Sequence, residues 1–251
     1  MLLGAQLYTI REFTQDEAGF DAAMEKVAAM GYTTVQVSAV GPIPPDRIRK
    51  ICDRHGLAIV VTHTAQERIL RETDAVIAEH RILGARHIGI GSMPQEYRTG
   101  PEGVDRFIRD FGPAADRIAA AGMKLHYHNH DFEFARHEGK PLLQRIADGF
   151  QPDRLGFILD TFWIQAGGGD PAWWIRHMAG RAEIVHLKDM AYDGGRVMTP
   201  VGEGNMNFMS ILEACRDAGT EWLMVEQDTC VGSPFDCLHS SYVHLAAMGL
   251  R

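Results

Sequence analysis

Short apolar runs and longer segments of helical period alternate from one end of the chain to the other. The runs lie near residues 3–8, 34–38, 58–63, 86–90, 124–130, 155–160, 184–188 and 222–226. Between them apolar residues recur at three- and four-residue steps. Examples are Phe20, Met24, Val27 and Ala28, then Val104, Phe107, Ile108 and Phe111, then Phe208, Ile211, Leu212 and Cys215. That spacing lays one apolar stripe along a helix. Gly31, Gly56, Gly84, Gly122 and Gly219 stand just before strands, where glycine supplies the left-handed turn that ends a helix. Eight β-then-α units, undivided by a linker or a charge block, predict one α/β domain over residues 1–251: a closed (β/α)8 TIM barrel. An open doubly wound sheet is the alternative, and no GxGxxG follows the first strand to support it.

Strand parity then locates the chemistry. Alternate side chains of a strand face opposite sides. In LGFILD (155–160) the pair Ile158 and Asp160 shares one face, and in IVHLKD (184–189) His186 and Lys188 do. In WLMVE (222–226) the last inward residue is Glu226; the fifth run places His126 and His128 together, and the third ends at His63. Gln6 and Tyr8 in the first run, and Gln36 and Ser38 in the second, share that polar parity. Polar side chains thus collect at the C-terminal ends of the strands, where barrel enzymes build their active sites.

Composition narrows the partners. Acidic residues number 33 against 25 basic, a formal charge of -8, and a phosphate-backbone binder is expected to show a basic surplus. Nucleic acid is therefore not an expected partner. No apolar stretch is long enough for a bilayer, and the apolar start MLLGAQL is too short for a signal peptide. Four scattered cysteines without a CxxC pair suit a reducing compartment, so the expected location is cytoplasmic. Trp173 and Trp174 read as core or as a subunit contact, which leaves a homo-oligomer open.

Asp160, His186 and Glu226 end three successive strands, so closure of the barrel brings them together. Such an oxygen and nitrogen set without thiolate suits one divalent metal ion: Mn, Mg, Zn or Co. The fifth strand, reading HYHNHDFEF from His126 to Phe134, offers the fourth ligand. His128 and His130 are candidates, but Glu133 is preferred because three carboxylates and one imidazole make a harder site. His128 or His130 then moves protons, since imidazole titrates near neutrality. Lys188 reads either as a catalytic group holding an oxyanion or as an ion-pair partner of Asp189 or Glu226. Gln6, Tyr8, Gln36, His63 and Trp163 are the expected substrate contacts, and the VGEG loop (201–204) is expected to cover the mouth.

The motifs YHNHDFEF (127–134), LDTFW (159–163), GR followed by VHLKD (180–189), VGEG (201–204) and VEQD (225–228) together resemble the xylose-isomerase-like barrel superfamily. More narrowly, they resemble its bacterial sugar phosphate isomerase/epimerase branch. The resemblance implies a divalent metal held by Glu, Asp, His and Glu from late strands, and Asp160, His186 and Glu226 match three of these. The chain departs from ketose epimerases where those carry a glutamate at the end of strand 5. Trp163 stands in place of a second histidine, and Gln36 in place of a strand 2 glutamate. The implied activity is a metal-dependent isomerase or epimerase acting through an enediolate on a keto sugar, polyol ketone or sugar phosphate. The alternative is a lyase or dehydratase on an inosose or 3-oxo-glycoside. An abasic-site nuclease and a non-catalytic sugar-binding barrel rank below both.

Overall fold

The computed structural model describes residues 1–250; Arg251, the last residue of the expected domain, lies outside the described residues. Eight parallel strands close into a barrel: β1 (Leu2–Gln6), β2 (Thr34–Val37), β3 (Ala58–His63), β4 (His87–Ile90), β5 (Lys124–His128), β6 (Leu155–Asp160), β7 (Ile184–Leu187) and β8 (Trp222–Val225). Each pairs with its neighbour in sequence, and β8 closes onto β1 with Ala5 opposite Val225. The predicted α/β TIM barrel is thus the observed fold. Two runs stop two residues short of their expected ends, and three others stop one residue short. The Gln6 side chain accepts from the Tyr8 amide at 2.8 Å and starts a 3-10 turn at Leu7, and β5 ends at His128.

The core has two layers. Between strands and helices lie Phe20, Met24, Phe107, Phe111, Ile211 and Leu212, as the periodicity predicts. A smaller cluster fills the barrel interior: Val60, Val61, Ile158, Ile184 and Met224. The interior is tight at Gly4, where a Cβ would come within 2.4 Å of Thr34 Oγ1 and 2.5 Å of Met224 Sδ.

One irregularity aims a site residue. Ile59 packs on the helix side, and in an unbroken strand Val61 and His63 would follow it there. The β2–β3 register instead slips between Val35 and Gln36, so that Gln36 pairs with Val61. The slip turns Val61 inward and carries His63 to the mouth. Such bulges re-aim side chains beside functional sites.

Glu133, the expected fourth metal ligand, is held on the outer side of β5. It sits fully buried in a 3-10 turn (Phe132–Phe134). One carboxylate oxygen accepts from the Tyr127 hydroxyl at 2.5 Å, the other from the His130 amide at 2.9 Å. Tyr127 points away from the barrel interior, its ring edge against Phe107 and Phe157. Burial pushes the Glu133 pKa up to about 7 from an ordinary 4.5, with Tyr127 and backbone amides opposing it. The folded state therefore holds more protons than the unfolded chain between about pH 4.5 and 7. Stability is full below that window and is lost as pH rises through it. Glu133→Gln removes the charge and lets the amide oxygen accept from the His130 N–H while its NH2 donates to the Tyr127 hydroxyl oxygen. Its stability relative to the native chain should rise by roughly 2 kcal/mol between pH 5 and pH 8, while metal content stays unchanged. Denaturant melts at the two pH values, with elemental analysis, check this; loss of metal from Glu133→Gln would return it to the ligand set.

Candidate metal centre at the barrel mouth

Closure brings His128, Asp160, His186 and Glu226 into one buried group whose ligand atoms lie within 4.8 Å of one another. Three of them are expected ligands; the fourth is His128, expected as a proton carrier, in place of Glu133. Strand register explains the meeting: His128 lies opposite Ile158, and Asp160 opposite His186, in adjacent strands.

The hydrogen bonds around the group leave its inner atoms facing one another. His128 Nδ1 meets the Gly91 carbonyl oxygen at 2.9 Å, and His186 Nε2 meets Gln36 Oε1 at 2.7 Å. Both acceptors fix the ring proton on the outer nitrogen. In the neutral rings His128 Nε2 and His186 Nδ1 are then lone pairs, and they face carboxylates: Asp160 Oδ2 at 3.2 Å and Glu226 Oε2 at 2.9 Å. The second approach lacks hydrogen-bond geometry, and His186 Nδ1 and Glu226 Oε2 are left without a hydrogen-bond partner among the described residues. Lone pairs set against carboxylates at this range repel unless a positive charge lies among them.

Asp160 serves two purposes. Its Oδ1 accepts from the Trp163 amide at 3.0 Å and caps the helix that follows, while Oδ2 faces the group. Its own amide donates to Asn129 Oδ1 at 3.0 Å. Glu226 is braced similarly, with Oε1 accepting from Gln6 Nε2 at 2.8 Å.

Lys188 adds one positive charge. Its ammonium lies 3.0 Å from Asp160 Oδ2, 2.8 Å from Glu226 Oε2 and 2.9 Å from Asp228 Oδ1, and the side chain is 1% exposed. Burial alone would lower its pKa; Asp160, Glu226 and Asp228 outweigh burial and hold it well above the ordinary range. Burial likewise would raise Asp160, but Lys188, His128 and His186 keep it well below the ordinary carboxylate range. Against burial, Glu226 and Asp160 raise His186. With both rings neutral and all three carboxylates ionised, one ammonium leaves two negative charges, which one divalent cation would balance. Donor types, unpartnered atoms and charge all fit a metal such as Mn²⁺, Mg²⁺, Zn²⁺ or Co²⁺.

Above the group opens a cavity of about 350 Å³, lined by Tyr8, His63, His130, Trp163, Lys188 and Asp228 among others. Tyr8, His63 and Trp163 thus sit where substrate contacts are expected. Gln6 and Gln36 do not line it; both are fully buried and brace Glu226 and His186. The His63 ring is held by Ser38 Oγ at Nδ1 (3.2 Å), and its Nε2 is unpartnered. His130 packs 4.9 Å from His128 and 5.2 Å from Trp163, ring to ring, with Nδ1 unpartnered. Burial first, and His128 second, push His130 down to about 3.

The VGEG loop directs its glycine amides to a side chain of the protein itself. Its Gly202 and Gly204 amides donate to Asp189 Oδ2, each at 3.0 Å, and Glu203 pairs with Ser240. Asp189 is therefore not the partner of Lys188. Glu226, the other expected partner, is one, together with Asp160 and with Asp228, which the sequence reading did not single out. Trp174 is buried, whereas Trp173 is exposed and stacks on His177.

Known proteins place this architecture. Inosose dehydratase from Lacticaseibacillus casei is 22% identical over 88% of this chain and 86% of its own. A crystal structure of a sugar phosphate isomerase/epimerase from Parabacteroides distasonis superposes with a TM-score of 0.82 at 22% identity, covering 98% of this chain and 93% of that one. The probable 3-DHS dehydratase involved in petrobactin synthesis from Bacillus anthracis gives 0.74 at 14% identity, covering 98% and 99%. The family model for the xylose isomerase-like TIM barrel matches residues 24–231, and the chain belongs to that family.

Proposed function

We propose that this chain is a divalent-metal-dependent lyase that eliminates a β-substituent from a polyhydroxylated cyclic ketone of the inosose or 3-oxo-glycoside class. The observation that carries this reading is the asymmetry of the centre. The β5 position is filled by an imidazole, and Glu133 is tied to Tyr127, so no second glutamate completes a proton-transfer pair with Glu226. Elimination asks less of the site, because one base can take a proton and hand it to the leaving group. The names carried by the relatives, inosose dehydratase and 3-DHS dehydratase, agree with it.

In this reading His128, Asp160, His186 and Glu226 hold the metal. When bound, the ion draws charge from a ketone oxygen and a neighbouring hydroxyl, making the adjacent carbon-bound proton more acidic. His130 takes that proton. As the carbon–oxygen bond at the β-carbon breaks, the electron pair of the broken C–H bond becomes the new double bond. The leaving oxygen departs with its own pair and receives the proton back from His130. Trp163 offers its face to the ring, and His63, held by Ser38, offers Nε2 to a hydroxyl. Lys188 keeps the carboxylates close and is a positioning residue.

His63 also favours a second reading. Its free Nε2 and its ring, 5.2 Å from that of His128, would supply a base on another side of the substrate, as epimerisation requires. Products separate the two: a new enone absorbance means elimination, and deuterium gained from D₂O without loss of a substituent means isomerisation or epimerisation.

Two predictions follow from the roles given. His128→Gln should abolish tight metal binding, and Gln36→Leu, which removes the support of His186, should weaken it by about 10–100-fold. Calorimetric titration with Mn²⁺ reads both, and native affinity in His128→Gln would remove it from the ligands. His130→Gln should keep metal and lose about 10²–10⁴-fold in kcat/KM for elimination. Turnover within a few-fold of the native enzyme would show that another group moves the proton.

A further inference from the structure

Beside the polar cavity lies a second of about 420 Å³, and Trp163 belongs to the walls of both. The second is apolar in character. Phe162, Ala166, Val197, Met198 and Val231 line it with Trp163, and Asp131 and Arg196 are its only charged side chains. Arg196 already donates to the Ala166 carbonyl. Val197 and Val231 are 39% and 100% exposed, an apolar surface left open beside a site built for polyols.

The wall carrying Val197 and Met198 is an antiparallel ribbon, Asp189–Tyr192 paired with Arg196–Thr199. It is anchored to the centre: Gln227, the residue after Glu226, donates from Nε2 to the Met198 carbonyl at 3.3 Å and to that of Thr229 at 3.0 Å. The two cavities therefore keep a fixed relation. At their junction stands Trp163, whose indole N–H is buried without an acceptor, and His130, in the wall of the polar cavity, lies 5.2 Å from it ring to ring. The polar cavity is at the small end of the ~300–1,000 Å³ usual for ligand sites, space for a single ring and its metal.

We infer that the second cavity is a subsite for an aromatic aglycone, joined through oxygen to the polyhydroxylated ketone that occupies the metal pocket. This rests on the lyase reading. A free cyclitol ketone would leave the apolar walls unused. A glycoside with an aromatic leaving group would fill both cavities and place its bridging oxygen at the junction, beside the imidazole that returns the proton. The elimination balances as above, the aglycone leaving as a phenol.

The test uses Mn²⁺-loaded protein and two pairs of probes: methyl and phenyl β-D-glucosides, which cannot react, and their 3-oxo counterparts. Calorimetry should show the phenyl glucoside bound about ten- to a hundred-fold tighter than the methyl one, the effect of burying one ring. Val197→Asp, and independently the fully exposed Val231→Asp, should each cut that ratio by about ten-fold. Equal affinity for the two glucosides, or an unchanged ratio in both variants, overturns the subsite. So does a native dimer that Val197→Asp dissociates with no phenyl preference in either form, since a second copy would then cover the cavity. A phenyl preference in binding without phenol release from the phenyl 3-oxo-glucoside upholds the subsite and sinks the lyase reading alone.

Discussion

The mouth of this barrel is organised around a charge left uncompensated. Two imidazoles present lone pairs to two carboxylates because each ring has its other nitrogen tied to an oxygen, the Gly91 carbonyl for His128 and Gln36 for His186. Neither ring can turn to relieve the repulsion without losing that bond. Lys188 brings one positive charge, and Asp228 adds a further negative one. An excess held in place by buried hydrogen bonds is fitted to receive a cation, and its rigidity is set by residues outside the candidate ligand set. Gln6, Gln36, Asn129 and Gly91 are as much a part of the centre as its ligands.

Much of this was legible in the sequence, because two periodicities carry it. Alternation in eight short runs gave the strands, and the polar residue ending each inward face gave Asp160, His186 and Glu226. Parity states which way a side chain points and not how deep it lies. Gln6 and Gln36 point inward as read, yet they lie below the cavity, bonded to ligands rather than open to substrate. His63, read as the inward end of the third run, reaches the mouth through a register slip that periodicity does not announce. Glu133 shows where such reading ends. In a loop there is no parity, and the position of that carboxylate is decided by a tyrosine hydroxyl six residues earlier on the opposite face of β5.

The loss of Glu133 from the centre changes its chemistry as well as its charge. A ligand set with two carboxylates and two imidazoles binds a somewhat softer range of cations than one with three carboxylates. It also leaves Glu226 without a second glutamate in the candidate group. What replaces it is a row of imidazoles, His63, His128, His130 and His186, with neighbouring ring centroids 4.6 to 5.6 Å apart. Rings packed so closely cannot all be protonated. Any base among them is neutral before it acts, and the proton it gains is under pressure to leave quickly.

That pressure bears on the outcome of the reaction. A glutamate can hold an abstracted proton while the intermediate exchanges faces, the circumstance epimerisation needs. An imidazolium beside a metal and other imidazoles is a stronger acid, and the nearest acceptor receives its proton. His130 lies 5.2 Å, ring to ring, from Trp163, the wall shared with the apolar cavity; in the proposed elimination the nearest acceptor would be the oxygen of the departing group. Relatives of one fold carry both the dehydratase and the isomerase/epimerase names. In the lyase reading proposed above, the divergence lies in what adjoins His130: here Trp163, and beyond it Phe162 and the ribbon, where a leaving group would be held rather than a proton returned to carbon.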